Sequence, residues 1–273
     1  MRCFYCGETD KAGSDEHIPS AFLGSRLKTR KVCKPCNERA GKQIDDRIAT
    51  YLMVNMPKAL ADVRSVRHLG DEPVVVVDGV VSATGDPVEI RFTSAGRDVR
   101  RPDGSVVEET IEVSYGMDSD LWVRFTAKTA LGCAAKLFDD DWLDHRTAVG
   151  LRDILWHGPI DSTVWPNGVP GWPAELNLDH PVRQALGEHR HLIGLQPADN
   201  DPTSSVAIAI LFGGQIYCSL PLPDVSVLST GAVWIIDWQC TEPPKCEDLD
   251  QAIERMLRER GWSTAEIDAV RLT

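Results

Sequence analysis

Apolar residues change their spacing along the 273-residue chain, and each change predicts a different element. Beyond Lys34, residues Ile44, Ile48, Tyr51 and Leu52 follow one another at intervals of four, three and one. That rhythm lays them on one face of a helix, which Pro57 ends or kinks. Upstream the signals are shorter. Pro19 follows a β-branched residue and disfavours helix, so His17 and Ile18 should be extended, on or beside a short strand. Arg26 to Val32 offers a weak second strand. Cys3 to Cys6 with Gly7 behind them reads as a tight knuckle, the glycine relieving the turn.

From about Asp71 the chain becomes strand-rich. Val74–Val77, Val88–Phe92, Val106–Val113, Leu121–Phe125, Leu192–Leu195, Val206–Phe212, Ile216–Leu220 and Val233–Trp238 are the predicted strands. Asp78-Gly79, Asp103-Gly104 and Gly213-Gly214 separate such runs with the two-residue signature of hairpins. Ala127–Phe138 reads as an apolar helix, Arg146–Leu155 as a second and Leu249–Arg260 as an amphipathic terminal one. The expected fold class is α+β: a small module over residues 1–60, then a larger α+β domain with antiparallel sheet over residues 61–273.

A segment of some sixty residues is too short to bury much core, and the cysteines supply what it lacks. Cys3 and Cys6 form one CxxC pair, Cys33 and Cys36 another, with 26 residues between them. Four thiolates are the ligand set that saturates a structural zinc, worth on the order of 10 kcal/mol of folding free energy. The other cysteines, Cys133, Cys218, Cys240 and Cys246, lack paired metal spacing and read as buried small hydrophobes. Disulfides are not expected. No apolar run approaches the roughly 20 residues that span a bilayer, and no basic-then-apolar leader stands out, so a soluble, cytoplasmic protein is expected.

Net charge is −12, but unevenly distributed. Residues 1–60 hold 11 Lys and Arg against 7 Asp and Glu, a balance of +4; the remaining 18 against 34 give −16. Between Gly24 and Lys42 the basic residues Arg26, Lys28, Arg30, Lys31, Lys34, Arg39 and Lys42 face only Glu38. Such a run is either a solvated loop or a surface for a polyanion.

Between the cysteine pairs stand Glu16, His17, Ile18 and Pro19, and Asn37 follows the last cysteine directly. With Asn37 in the first turn of the helix and His17 on the strand against it, the two can face one cleft. The order of knuckle, strand, strand and second knuckle opening a helix, with the residues CFYC, EHIP, VCKPCN and AGKQID, resembles the HNH nuclease family over the first 50 to 60 residues. That family's ββα-metal core is often stapled by a four-cysteine zinc.

The resemblance implies a metal-dependent endonuclease that hydrolyses DNA phosphodiester bonds. His17 would be the general base, and Glu16 and Asn37 would hold a catalytic Mg²⁺ or Mn²⁺, a hard cation suited to oxygen donors. The seven basic residues would hold phosphates. Two departures stand out: Glu16 occupies a position where Asp is commoner, and Lys28, Thr29 and Arg30 occupy the stretch of the family's middle Asn. Either Thr29 or a backbone carbonyl would then brace the His17 loop. The alternatives are a zinc module that binds nucleic acid or protein without cutting, and an adaptor whose activity lies in the acidic remainder. Residues 61–273 would position substrate, form a homodimer, meet a partner protein or sense a signal. Asp45 reads as a helix-surface or salt-bridge residue, and Gly41 as a point of close packing of helix against strand or simply a tolerated glycine. The run from Trp156 to Trp172 reads as a binding loop, a lid, or a loop folded on its own aromatics. His180, His189 and His191 do not amount to a second metal site.

Overall fold

The first knuckle closes on itself through the Gly7 N–H, which donates to the Cys3 carbonyl at 2.7 Å while Gly7 adopts φ +76°. The computed structural model describes residues 1–51, 54–55, 74–113, 118–158, 181–186, 190–198, 201–211, 216–222, 232–237 and 247–271. After the knuckle, β1 (Gly13–His17) pairs antiparallel with β2 (Lys28–Cys33), from Gly13 opposite Cys33 to His17 opposite Lys28. One extra residue on β2 makes a bulge opposite Asp15. Gly13 is required there, because a Cβ would collide with the Arg30 carbonyl oxygen. Cys33 then ends the strand, and α1 (Lys34–Ala40) starts with Pro35 in its first turn, where a missing N–H costs nothing. A π-helical segment, Gly41–Asp45, leads into α2 (Asp46–Ile48). Ile44 and Ile48 are fully buried, as their spacing predicts; Leu52 lies outside the described residues.

Against this ββα unit lies α3 (Ser119–Leu137), whose N-terminus is capped by Asp118 accepting from Leu121 N. Its neighbour is α4 (Arg146–His157). One continuous apolar core contains Phe4, Tyr5, Leu23, Val32, Ile44 and Ile48 together with Trp122, Phe125, Leu131, Leu151 and Leu155. Trp122 stands edge-on to Phe125 at 5.8 Å, and Phe4 stacks on Trp142 at 6.2 Å.

Two antiparallel sheets complete the α+β architecture. The four-stranded sheet runs β5-β4-β3-β6, with β3 Val75–Val81, β4 Pro87–Thr93, β5 Gly96–Arg100 and β6 Ile111–Glu112. The five-stranded sheet runs β11-β10-β7-β8-β9, with β7 Arg190–Ala198, β8 Asp201–Leu211, β9 Ile216–Leu222, β10 Ala232–Asp237 and β11 Glu247–Asp248. Helices α5 (Pro181–Leu186), α6 (Leu249–Glu259) and α7 (Thr264–Arg271) share a core with Leu192 through Ala185, Leu186, Met256, Leu257 and Ile267. No helix among the described residues is long and apolar enough to cross a membrane.

Three expectations are corrected. Leu121–Phe125, predicted as a strand from its aromatic and β-branched content, forms the first turns of α3, where Leu121, Trp122 and Phe125 share the buried face. Asp78-Gly79 is no turn but lies inside β3. A Cβ at Gly79 would stand 2.9 Å from the Glu112 carbonyl oxygen and 3.0 Å from Ile90 Cδ1, so this glycine lets β6 approach. The turn comes after β3, with Gly85 at φ +73°. Of Val106–Val113 only Ile111–Glu112 is strand, and Val106 makes a single bridge to Arg100. Gly213-Gly214, His180, His189, Cys240, Cys246 and residues 159–172 lie outside the described residues.

Candidate functional site

The two knuckles meet. The Sγ atoms of Cys3, Cys6, Cys33 and Cys36 all lie within 4.8 Å of one another, Cys3 and Cys33 buried and the other two half-buried. A tetrahedral zinc with Zn–S bonds of about 2.3 Å holds its sulfurs about 3.8 Å apart, so the cluster has the span and the donors of a structural zinc site. Cys33 N–H donates to Cys3 Sγ at 3.3 Å, a bond that suits a thiolate. A hydrogen bond from Cys36 draws the Cys3 thiol down to about 4, burial pushes Cys6 up to about 11, and the Cys3 thiolate drives Cys36 up as well. Burial and the mutual repulsion of the sulfurs thus disfavour four thiolates here, and a cation among them would relieve both. Among the described residues this is the one cluster of metal-ligating side chains with such convergence.

Strand β1 sends its residues to alternate faces. His17 Nδ1 lies 2.7 Å from the Ser25 carbonyl. A carbonyl only accepts, so Nδ1 carries the proton and the neutral ring keeps its lone pair on Nε2. Ser25 is itself fixed, its hydroxyl donating to the Ile18 carbonyl at 2.7 Å. Thus a backbone carbonyl orients the imidazole, while Thr29 Oγ1 accepts from Lys31 N. Burial holds His17 below its ordinary pKa; the Ser25 carbonyl opposes this and Lys28 reinforces it.

Glu16 faces the other way. It is 3% exposed, accepts from Tyr5 OH at 3.0 Å and pairs with Lys128 Nζ at 2.5 Å. The same ammonium pairs with Asp45 Oδ2 at 3.0 Å and donates to Ser20 Oγ at 2.8 Å, while Ser20 Oγ donates to Asp45 Oδ1 at 2.8 Å. Burial alone would lower Lys128, but the two carboxylates more than reverse it; Asp45 is raised by burial, against the pull of Lys128. Asp45 is the salt-bridge residue its position suggests. Mg²⁺ and Mn²⁺ keep several waters and take phosphate oxygens. Glu16 is enclosed and already paired with an ammonium, unlike the open carboxylate that such a hydrated ion takes.

Asn37 stitches the start of α1 to β1, its Nδ2 donating to the Asp15 carbonyl at 2.8 Å and to Ser14 Oγ at 3.1 Å. Leading into and along β2, the exposed Arg26, Lys28 and Arg30 alternate with the buried Leu27 and Thr29. Lys28 stands directly opposite His17, so both project from one face, and Asp15 pairs with Lys28 at 3.2 Å and with Arg30 at 3.6 Å. The other four basic residues are placed differently. Lys31 donates to the Phe138 carbonyl at 3.0 Å and lies 5.3 Å from the Phe4 ring centre; Lys34 pairs with Glu38; Arg39 stacks 4.2 Å over Trp156. Lys42 is exposed on the π-helical segment.

Sequence reasoning missed Tyr5, Ser20, Ser25 and Lys128. Only Lys128 left a signal, as a charge within the apolar run Ala127–Ala135.

Residues 3–53 match a family described as HNH endonuclease. No curated protein and no solved structure matches the chain.

Proposed function

We propose that the N-terminal segment, an HNH endonuclease-family domain, hydrolyses DNA phosphodiester bonds with His17 as general base. The observation that carries this reading is the His17 ring, proton fixed on Nδ1 by the Ser25 carbonyl and basicity left on Nε2. In this scheme Nε2 takes a proton from water as its oxygen attacks phosphorus, and the bond to the 3′ oxygen breaks, that oxygen taking a proton from solvent to leave a 5′ phosphate and a 3′ hydroxyl. Lys28, on the same face, and the exposed Arg26 and Arg30 hold the phosphates and offset the charge that builds in the transition state. Cys3, Cys6, Cys33 and Cys36 hold a zinc that keeps the two knuckles together and leaves no coordination position for substrate. Asn37 holds β1 against α1 and so sets where His17 stands. Residues beyond the module supply target choice, since basic contacts to phosphate carry no sequence information.

Plasmid nicking in the presence of Mg²⁺ or Mn²⁺ tests the reading. His17→Ala should slow cutting by at least about 10²-fold, the lower end of what a general base contributes, with zinc content and fold retained. Equal cutting by the two proteins would remove His17 as the base, and no cutting by either would leave a second reading, a zinc module that binds nucleic acid without cutting it. That reading draws on Glu16 being spent on Lys128.

A further inference from the structure

We infer that the ammonium of Lys128 is the resident cation of the Glu16–Asp45 acid pair, a tethered charge standing where a bound divalent ion would otherwise neutralise two carboxylates, and that it positions the segment carrying His17. The second half of the inference rests on the nuclease reading; the first does not.

Lys128 is 2% exposed, and its Nζ reaches three oxygens: Glu16 at 2.5 Å, Asp45 at 3.0 Å and Ser20 at 2.8 Å. With no cation, the buried Glu16 carboxylate and the half-buried Asp45 carboxylate beside it would repel each other and stand largely dehydrated, a costly arrangement. One ammonium with three hydrogens satisfies one donor direction toward each partner. The pocket is closed further by Tyr5, whose hydroxyl takes up Glu16.

Geometry also shows what this cation holds. Glu16 and Ser20 flank His17, Ile18 and Pro19, so a single side chain grips the segment on both sides. One helical turn beyond Lys128, Gly132 leaves room for Ile18: a Cβ there would stand 3.0 Å from Ile18 Cγ1. Residues four apart lie on one face of a helix, so α3 meets the segment with a charge and a hollow side by side. Both come from beyond residues 3–53, the span that matches the nuclease family.

The test is Mn²⁺ binding to the zinc-loaded full chain, followed by electron paramagnetic resonance, with thermal unfolding alongside. Glu16→Gln should bind Mn²⁺ as the wild type does, because the ion has no bond to residue 16. Lys128→Met should acquire a divalent-ion-dependent rise in Tm that the wild type lacks and that Lys128→Met/Glu16→Gln loses again. The inference is overturned if Glu16→Gln weakens Mn²⁺ binding by about 10-fold or more, the least that loss of even an outer-shell partner costs. It is equally overturned if Lys128→Met folds yet gains no ion-dependent stability. Should Lys128→Met fail to fold, the Glu16→Gln comparison decides alone. Since neither readout is cutting, a chain without nuclease activity would sink the reading of His17 and leave this result standing.

Discussion

At His17, three influences act on one proton. Burial disfavours the imidazolium, the Ser25 carbonyl bonded to Nδ1 favours it, and the neighbouring Lys28 disfavours it again, with a net depression below 6.5. A base with a depressed pKa is already neutral at pH 7 and stays so into mildly acid solution. If His17 is the base, kcat/KM for nicking should rise with pH along a limb centred below pH 6.5, and Lys28→Ala should move that limb upward; a limb at or above 6.5 in the wild type would count against it. The sign for stability runs the same way. The folded chain binds this proton less readily than the unfolded one, so the contribution is complete above about 6.5 and fades as pH falls through the folded value. The pairing of Glu16 and His17 was legible in sequence, but not that the two side chains part company. Alternation along a strand carries that information, and the bulge opposite Asp15 shifts the register that a sequence reader would assume.

Among the elements, the knuckles were the most legible and α3 the least. Two CxxC pairs need only spacing to be recognised, because the metal imposes its own geometry on short chain segments. Replacing Cys33 by Ser should lower zinc content and cost the module much of the metal's folding free energy, on the order of 10 kcal/mol for such sites, enough to lose the β1–β2 hairpin. Zinc stoichiometry and far-ultraviolet circular dichroism check this together, and a zinc-replete, folded variant would refute the four-thiolate site. For α3, local propensity misled at Leu121–Phe125. The Asp118 cap and the burial of Leu121, Trp122 and Phe125 decide for helix, and burial is set by partners distant in the chain. Lys128 illustrates the same limit. Its carboxylate partners lie 112 and 83 residues away, a juxtaposition no local pattern encodes.

For the whole molecule, the central fact is that the nuclease-type segment and helices α3 and α4 share one core. Phe4 stacks on Trp142, Trp156 Nε1 donates to the Tyr5 carbonyl at 2.6 Å, Arg2 pairs with Asp144, and Ile44 and Ile48 belong to the same apolar cluster as Leu131 and Leu151. Composition suggests a separable basic module of sixty residues, since charge changes sign there. Yet charge patterning reports on partners and solubility, not on where a core ends. Cutting the chain at residue 60 would expose that apolar face and remove the ammonium that pairs with Glu16 and Asp45, the first a recognised route to a large loss of stability. A fragment of residues 1–60 should therefore bind zinc but unfold without a cooperative transition, whereas residues 1–158, which keep α3 and α4, should melt as one unit. Zinc fixes the knuckles in both fragments, so the difference between their melting curves isolates what the helices contribute. A sharp, full-chain-like transition in the shorter fragment would show that the metal alone holds the His17 segment in place, and that the helices merely lie against it.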